Sequence, residues 1–250
     1  MKTPLLPLFL AAALLTSSLA AEPATAQPGD TGTHAAKIHR TKEVIYPLKL
    51  LNEGVTNGEV TVLLEVDEKG VVKDTLPVAY THEPFLKATL DTIKEWKYAP
   101  ARVEGEPVSS VCEVNIRFEV SGILVYERFG PVMPHENLGK DAFAYRVHGL
   151  RNLDRIPTPL HITQPVYPKE WINQGIRGSV TVDFYVDEAG VVRMPTVSAN
   201  DNPWLAASAF EAVRTWRFTP PTRNGKPVLV RCQQIFNFTP PQAANLSASP

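Results

Sequence analysis

Between residues 179 and 186 the chain alternates. Val180, Val182, Phe184 and Val186 are apolar, with Ser179, Thr181, Asp183 and Tyr185 between them. Successive residues of a strand point to opposite faces, so the pattern predicts a strand with one face on a core. Asp187-Glu188-Ala189-Gly190 then reads as a hairpin turn, with Gly190 supplying positive φ, and a second strand runs from Val191 to Val197. The period next becomes helical. Asn202 suits an N-cap, Pro203 suits the first helical position, and Leu205, Ala209, Val213 and Trp216 return to one face. Thr219-Pro220-Pro221 ends that helix, because proline cannot continue it. A turn at Arg223-Asn224-Gly225 leads to a last strand with Val228, Val230, Cys232, Phe236 and Phe238 on one face.

The same pattern occurs earlier in the chain. Tyr46-Pro47 recurs as Tyr167-Pro168, Gly54 as Gly175, and Val66-Asp67-Glu68-Lys69-Gly70 as Val186-Asp187-Glu188-Ala189-Gly190. Trp96, Pro100, Gly105, Cys112 and Phe118 recur as Trp216, Pro220, Gly225, Cys232 and Phe238. The offset falls from 121 (167 minus 46) to 120 (178 minus 58), so one residue is lost before the first strand. A period this long means two domains rather than a solenoid. In the first copy Val60, Val62, Leu64 and Val66 form the strand face. Pro84 opens the helix, whose stripe is Leu86, Leu90, Ile93 and Trp96. The predicted fold class is α+β: two tandem β-β-α-β domains, each a three-stranded, mainly antiparallel sheet with one helix on one face. The expected layout is an export segment (1–21), a flexible arm (22–42), a first, degenerate domain (43–127), a linker and lead-in arm (128–160), a second domain (161–240) and a disordered tail (241–250). The linker is expected to begin by extending the first domain's last strand.

The first segment has a single positive residue, Lys2, and an uncharged run from Thr3 to Ala21. Ser18-Leu19-Ala20 fits a signal-peptidase site; a retained anchor is the rival reading, and both carry the rest of the chain out of the cytoplasm. The full chain of 250 residues has a net charge of -1 and scattered Lys and Arg, so nucleic acid is not an expected partner.

One further string changes the picture. Tyr167-Pro168, Gly175, Gly178, the strand Val180 to Asp187, Gly190, Val192, Trp216-Arg217-Phe218-Thr219-Pro220 and Gly225-Lys226-Pro227-Val228 together resemble the TonB C-terminal domain family. Residues 153–240 carry the resemblance well and 46–120 more loosely. It implies a periplasmic, non-enzymatic protein in support of energy-coupled transmembrane transport. Its expected partners are TonB-dependent outer-membrane receptors or other envelope proteins, bound as extended peptides by β-augmentation. The implied edge is the last strand: Val228, Leu229, Val230, Arg231, Cys232, Gln233, Gln234, Ile235 and Phe236. Leu229, Arg231, Gln233 and Ile235 would face away from the helix. Energy-transducing members also engage a proton-driven inner-membrane complex through an N-terminal membrane helix and a long Pro-rich spacer. Here the apolar run contains no histidine or charge, and residues 22–43 reach about 75 Å at most. A transducer and a soluble or tethered accessory binder both fit. A structural pseudo-dimeric scaffold with paired edge strands is the alternative.

Candidate chemistry is sparse. Cys112 and Cys232 occupy equivalent positions, and either a disulfide between the domains or two small buried thiols fits. The bond would require the two last strands to lie side by side. Asp67-Glu68 and Asp187-Glu188 are turn residues rather than paired catalytic acids. Histidines 34, 39, 82, 135, 148 and 161 lack metal-site spacing, and no nucleophile or nucleotide-binding motif appears, so neither an enzyme nor a cofactor is expected. Trp171 and Trp204 have no counterparts in the first copy; packing beneath the lead-in arm is favoured over an exposed patch.

Overall fold

The computed structural model describes residues 34–120, 122–128, 143–197 and 202–239. The segments expected as export signal and C-terminal tail lie outside them. The first domain contains β1 (Lys37–Arg40), α1 (Leu48–Asn52), β2 (Asn57–Val66), β3 (Val72–Tyr80), α2 (Glu83–Ile93), β4 (Lys97–Ala99), β5 (Ala101–Val103), β6 (Glu106–Val108), β7 (Ser110–Glu119) and β8 (Gly122–Arg128). A connecting segment holds β9 (Tyr145–Arg146) and β10 (His148–Gly149). The second domain has β11 (Pro159–His161), α3 (Lys169–Asn173), β12 (Gly178–Val186), β13 (Val192–Val197), α4 (Pro203–Val213), β14 (Arg217–Phe218), β15 (Thr222–Arg223), β16 (Lys226–Pro227) and β17 (Val230–Phe238).

The repeated residues have repeated physical jobs. Asp67 and Asp187 accept the amides of Val71 and Val191 at 2.8 Å, closing both hairpin turns. Gly70 and Gly190 follow at φ 77° and 81°. A Cβ at either would collide with the carbonyl of Tyr98 or Phe218, so glycine is required by contact as well as by torsion. Each Tyr-Pro pair starts a one-turn helix that sequence periodicity missed, since five residues are too few to show a period. The tyrosine hydroxyl then closes the loop, Tyr46 donating to the Val55 carbonyl and Tyr167 to that of Ile176. Asn202 caps α4 as expected, accepting from the amides of Trp204 and Leu205.

Each helix covers one face of a sheet. Val60, Val62, Leu64 and Val66 pack with Phe85, Ile93 and Trp96; Val180, Val182, Phe184 and Val186 pack with Leu205, Ala209, Val213 and Trp216. The buried line of α2 is Phe85, Thr89 and Ile93, whereas the expected Leu86 and Leu90 only flank it. The opposite sheet faces meet each other. Leu63, Leu76 and Val78 from the first domain form one buried cluster with Tyr185, Met194 and Leu229 from the second. Helix, sheet, sheet and helix are thus stacked in order, and β2 is buried on both faces. The cores are joined by a third, shared one.

The sheet orders are β8-β7-β2-β3-β9 and β10-β17-β12-β13. The three-stranded antiparallel cores are as expected; the added edge strands β9 and β10 come from the expected linker and β8 from the end of the expected first domain. The described part of that linker is built into the sheets. β9 pairs antiparallel with β3, and one residue later β10 pairs parallel with β17, so residues 145–149 stitch both sheets together. The chain does not extend β7 outward past Glu119; it reverses and returns as β8. The expected flexible arm is also corrected from residue 34 onward: His34 bridges Arg102 and β1 pairs with β4. The second domain repeats this arm, with Arg155 bridging Thr222 and β11 pairing with β14. Both arms are held by tryptophan, Trp96 donating to the Lys42 carbonyl at 2.9 Å and Trp216 to that of Thr163 at 2.8 Å. These indole bonds give the two helix-end tryptophans a polar task beside their core packing.

Candidate peptide-binding edge

β17 lies against β12 along its whole length, from Val186↔Val230 to Gly178↔Phe238. On its other side β10 touches only Val230 and Arg231. Beyond Arg231, among the described residues, no strand pairs with that side. The phase of the ladder shows which amides are left. The His148 amide donates to the Leu229 carbonyl at 3.1 Å, so Leu229 presents its backbone outward. Backbone groups alternate sides along a strand, so Arg231, Gln233, Ile235 and Asn237 do the same. The Ile235 carbonyl agrees: it accepts the side-chain amide of Gln234 at 2.8 Å rather than a strand. An edge of this kind is a template for another chain.

Beside the edge runs a groove of about 530 Å3. One wall is the lead-in arm, with Ile156, Pro159 and Ile162; the floor is Trp216, Phe218 and Phe236. Ile156 is 71% exposed and Ile235 53%, unusually open for side chains of that size. No acidic or basic residue lines the groove among the described residues. The nearest charge on β17, Arg231, pairs at 3.1 Å with Asp183, which also accepts from Gln233. The groove is therefore suited to an uncharged, extended occupant. Burial pushes the Cys232 thiol up to about 12, so it lines the groove as an apolar group rather than a nucleophile.

The structure redistributes the expected edge residues. Val228 and Leu229 precede β17; the Leu229 side chain faces away from the helix as expected, but that face is covered by the first domain and Leu229 is 1% exposed. Val230 and Arg231 are overlaid by β10. Cys232, Gln233, Gln234, Ile235 and Phe236 remain along the open side, continued by Asn237 and Phe238. The arm residues Ile156, Pro159 and Ile162 were missed. They lie in a proline-rich stretch with no period, and the long-range pairing of β11 with β14 together with the indole bond of Trp216 draws that arm to the groove. Cys112 and Cys232 form no disulfide; both are thiols, in separate sheets opposite Leu64 and Phe184. The two last strands do not lie side by side, so the edge pairing that the scaffold reading expected is not seen among the described residues. Trp204, expected beneath the arm, is 62% exposed and leans on half-buried Trp171 with ring centres 6.3 Å apart.

The first domain treats its edge differently. β7 has the same register on β2 as β17 on β12, Gly58↔Phe118 matching Gly178↔Phe238. Its outer side, however, is filled by β8, from Glu119↔Gly122 to Glu113↔Arg128.

Residues 42–120 and 163–240 each match the family model described as the Gram-negative bacterial TonB protein C-terminal. The chain belongs to this TonB C-terminal family. It carries two tandem TonB-type domains, and both matches fall on the repeat. The second begins at Thr163, whose carbonyl receives the Trp216 indole. The chain is similar to Protein TonB of Vibrio cholerae serotype O1, at 33% identity over 76 residues, which are 30% of this chain and 31% of that protein. It thus spans about a third of that relative's length. It is also similar to the solution NMR structure of the Pseudomonas aeruginosa TonB C-terminal domain. There the identity is 28% and the TM-score 0.32, over 37% of this chain and 92% of the other.

Proposed function

We propose that this protein is an exported, non-enzymatic TonB-type module of the bacterial envelope. It binds extended segments of outer-membrane receptors or other envelope proteins along the open side of β17, in support of energy-coupled transport. The observation that carries this reading is that, among the described residues, the side of β17 beyond Arg231 pairs with no strand and lies next to a largely apolar groove without charged residues. Backbone pairing supplies affinity with little demand on sequence, and the groove selects for apolar side chains. Membership of the TonB C-terminal family supports the same reading. Whether the apolar first segment is cleaved or kept as an anchor decides between an accessory binder and a transducer that engages a proton-driven inner-membrane complex.

Calorimetric titration of the full chain with synthetic peptides from TonB-dependent receptors tests the binding. The expected result is saturable binding that Ile235→Pro weakens at least tenfold, because proline removes an outward N–H. Equal binding by that variant, or none by the parent chain, overturns the proposal. N-terminal sequencing of the mature protein tests the anchor: a start near residue 21 marks a released binder, and an intact Lys2 a tethered one.

A further inference from the structure

The first domain carries a cleft of about 350 Å3, remote in function from any strand edge. Gly70 to Thr75, the end of the β2–β3 turn and the start of β3, line one side. Lys94, Trp96 and Lys97, where α2 gives way to β4, line the other. Three lysines therefore meet there: Lys73 from β3, Lys94 from the end of α2 and Lys97 from β4. Arg40 adds a fourth cation, because it stands opposite Lys97 in the β1–β4 ladder, where facing residues share a side. Along the sequence these charges look scattered, and the fold gathers them.

The nearby carboxylates are already engaged. Asp74, which lines the cleft, is held by the Arg193 guanidinium at 2.6 Å. Asp67 lies 3.0 Å from Lys73 Nζ, but it also accepts the amides of Val71 and Lys69. Glu95 pairs with Lys42, and Asp91 with Lys87. Arg40, Lys94 and Lys97 are exposed, and among the described residues none of them has an ion-pair partner.

The repeat supplies an internal control. The lysine positions 73, 94 and 97 recur as Arg193, Arg214 and Arg217. In the second domain each cation is satisfied within the chain. Arg193 grips Asp74, Arg214 lies 3.1 Å from Glu211, and Arg217 donates to the carbonyls of Trp216 and Thr215. The turn there is also closed against its neighbour: Val191 bridges Arg217, and the Phe218 amide donates to the Gly190 carbonyl at 2.9 Å. Among the described residues no such bridge joins Val71 to Lys97. The first copy thus parts the turn from β4 at the place where its lysines gather, which packing alone does not require.

We propose that the cleft between the β2–β3 turn and β4 binds a phosphate group, borne by a lipid headgroup or by a soluble ester, through Lys73, Lys94 and Lys97. An ammonium is a compact charge that donates in any direction and meets phosphate as a point charge. Three of them on separate elements suit a tetrahedral oxyanion better than a flat carboxylate, which the arginine fork matches. The cleft is open to water, so affinity comes from several summed charges and falls as salt rises. The domain whose last strand is covered by β8 thereby keeps a binding task of its own, independent of the β17 edge.

The test titrates the isotope-labelled full chain with inorganic phosphate, and with chloride at matched ionic strength. Phosphate is expected to shift the amides of Lys73, Thr75, Lys94 and Lys97 to saturation at one ion per chain, and chloride is not. Lys73→Gln, Lys94→Gln and Lys97→Gln combined should weaken binding about tenfold or more. Lys49→Gln, Lys169→Gln and Lys226→Gln combined remove the same charge from exposed lysines elsewhere and should leave it unchanged. Equal shifts in chloride, or equal losses in the two triple variants, overturn the proposal. The shift map of the parent chain decides the matter even should the first variant unfold. Flotation with phosphatidylcholine vesicles, with and without phosphatidic acid, separates the sources. Capture that needs phosphatidic acid and is lost in the first variant assigns the phosphate to a lipid. Phosphate shifts without capture assign it to a soluble ester, and absence of both responses overturns the site.

Discussion

Arg193 grips Asp74 across the domain boundary, with Nη2 2.6 Å from Oδ1 and Nε 3.0 Å from Oδ2. The fork matches the carboxylate, and both side chains are about two-thirds buried, at 28% and 35% exposure. Arg193 also lies 3.6 Å from Asp187 of its own hairpin turn, so it links the first domain's β3 to the turn preceding its own strand. Charge-assisted forks are stronger than surface pairs, but partial exposure screens this one. Asp74→Ala should cost about 1–2 kcal/mol in chemical denaturation. If the two domains then melt separately, the fork is what couples them; an unchanged midpoint would show that the apolar cluster suffices.

Leu229 tests that cluster. It is 1% exposed against Leu63, Leu76, Val78 and Met194, on the sheet face away from α4. Leu229→Ala should cost about 2–4 kcal/mol, the usual penalty for a cavity in a closed core. Outward placement would instead make the change nearly neutral, as judged by urea unfolding.

The tandem repeat, the strand faces and the helix caps were legible because they rest on short-range periodicity and fixed turn chemistry. Asn202, Gly190 and Asp187 state their roles locally. The pairing of the domains was not legible, because Leu63 and Tyr185 interrupt an otherwise alternating strand with apolar residues on the wrong face for a single sheet. Such residues have meaning only once a second sheet is known to lie there. The covering of the first edge was hidden for a similar reason. Gly122–Arg128 reads equally as extension or reversal, and only long-range pairing to β7 decides. Parity alone correctly put Leu229 on the face away from the helix, but it cannot distinguish solvent from a neighbouring domain on that face.

The thiols give a third prediction. Cys112 is buried, and burial pushes Cys232 up to about 12, well above its ordinary 9.0. Thiolate is the reactive form, so alkylation of the native protein at pH 8 should be slow at both sites. Denaturation should release two reactive thiols per chain, countable by mass. Fewer than two under non-reducing conditions would restore the disulfide.

His148 makes the hold of β10 on β17 sensitive to acid. Its Nδ1 lies 3.0 Å from Arg223 Nη1, which can only donate, so the ring accepts there. Burial first, and the Arg223 charge second, lower its pKa from 6.5. The unfolded chain therefore binds the proton more readily, and stability rises with pH. The contribution is fully present above about 6.5 and is lost as pH falls through the lower folded value. The urea midpoint should fall between pH 8 and pH 5.5, and His148→Asn should flatten that part of the profile. An unaltered slope in the variant would place the acid sensitivity elsewhere.

Proline substitution along β17 separates the two sides of the strand. Ile235 turns its backbone outward, whereas Gln234 turns its own toward Val182 of β12. A proline is tolerated where the lost N–H faces away from a ladder and damaging where it belongs to one. Gln234→Pro should thus cost about 1–3 kcal/mol of stability, the price of an orphaned Val182 carbonyl plus a broken ladder bond. Ile235→Pro should cost less than half of that while removing a donor from the open side. The comparison is internal to one strand, so general effects of proline on β17 cancel. Equal destabilisation by the two variants would mean that the outer side of Ile235 is not open in solution, and the binding edge would then have to be sought elsewhere on the fold.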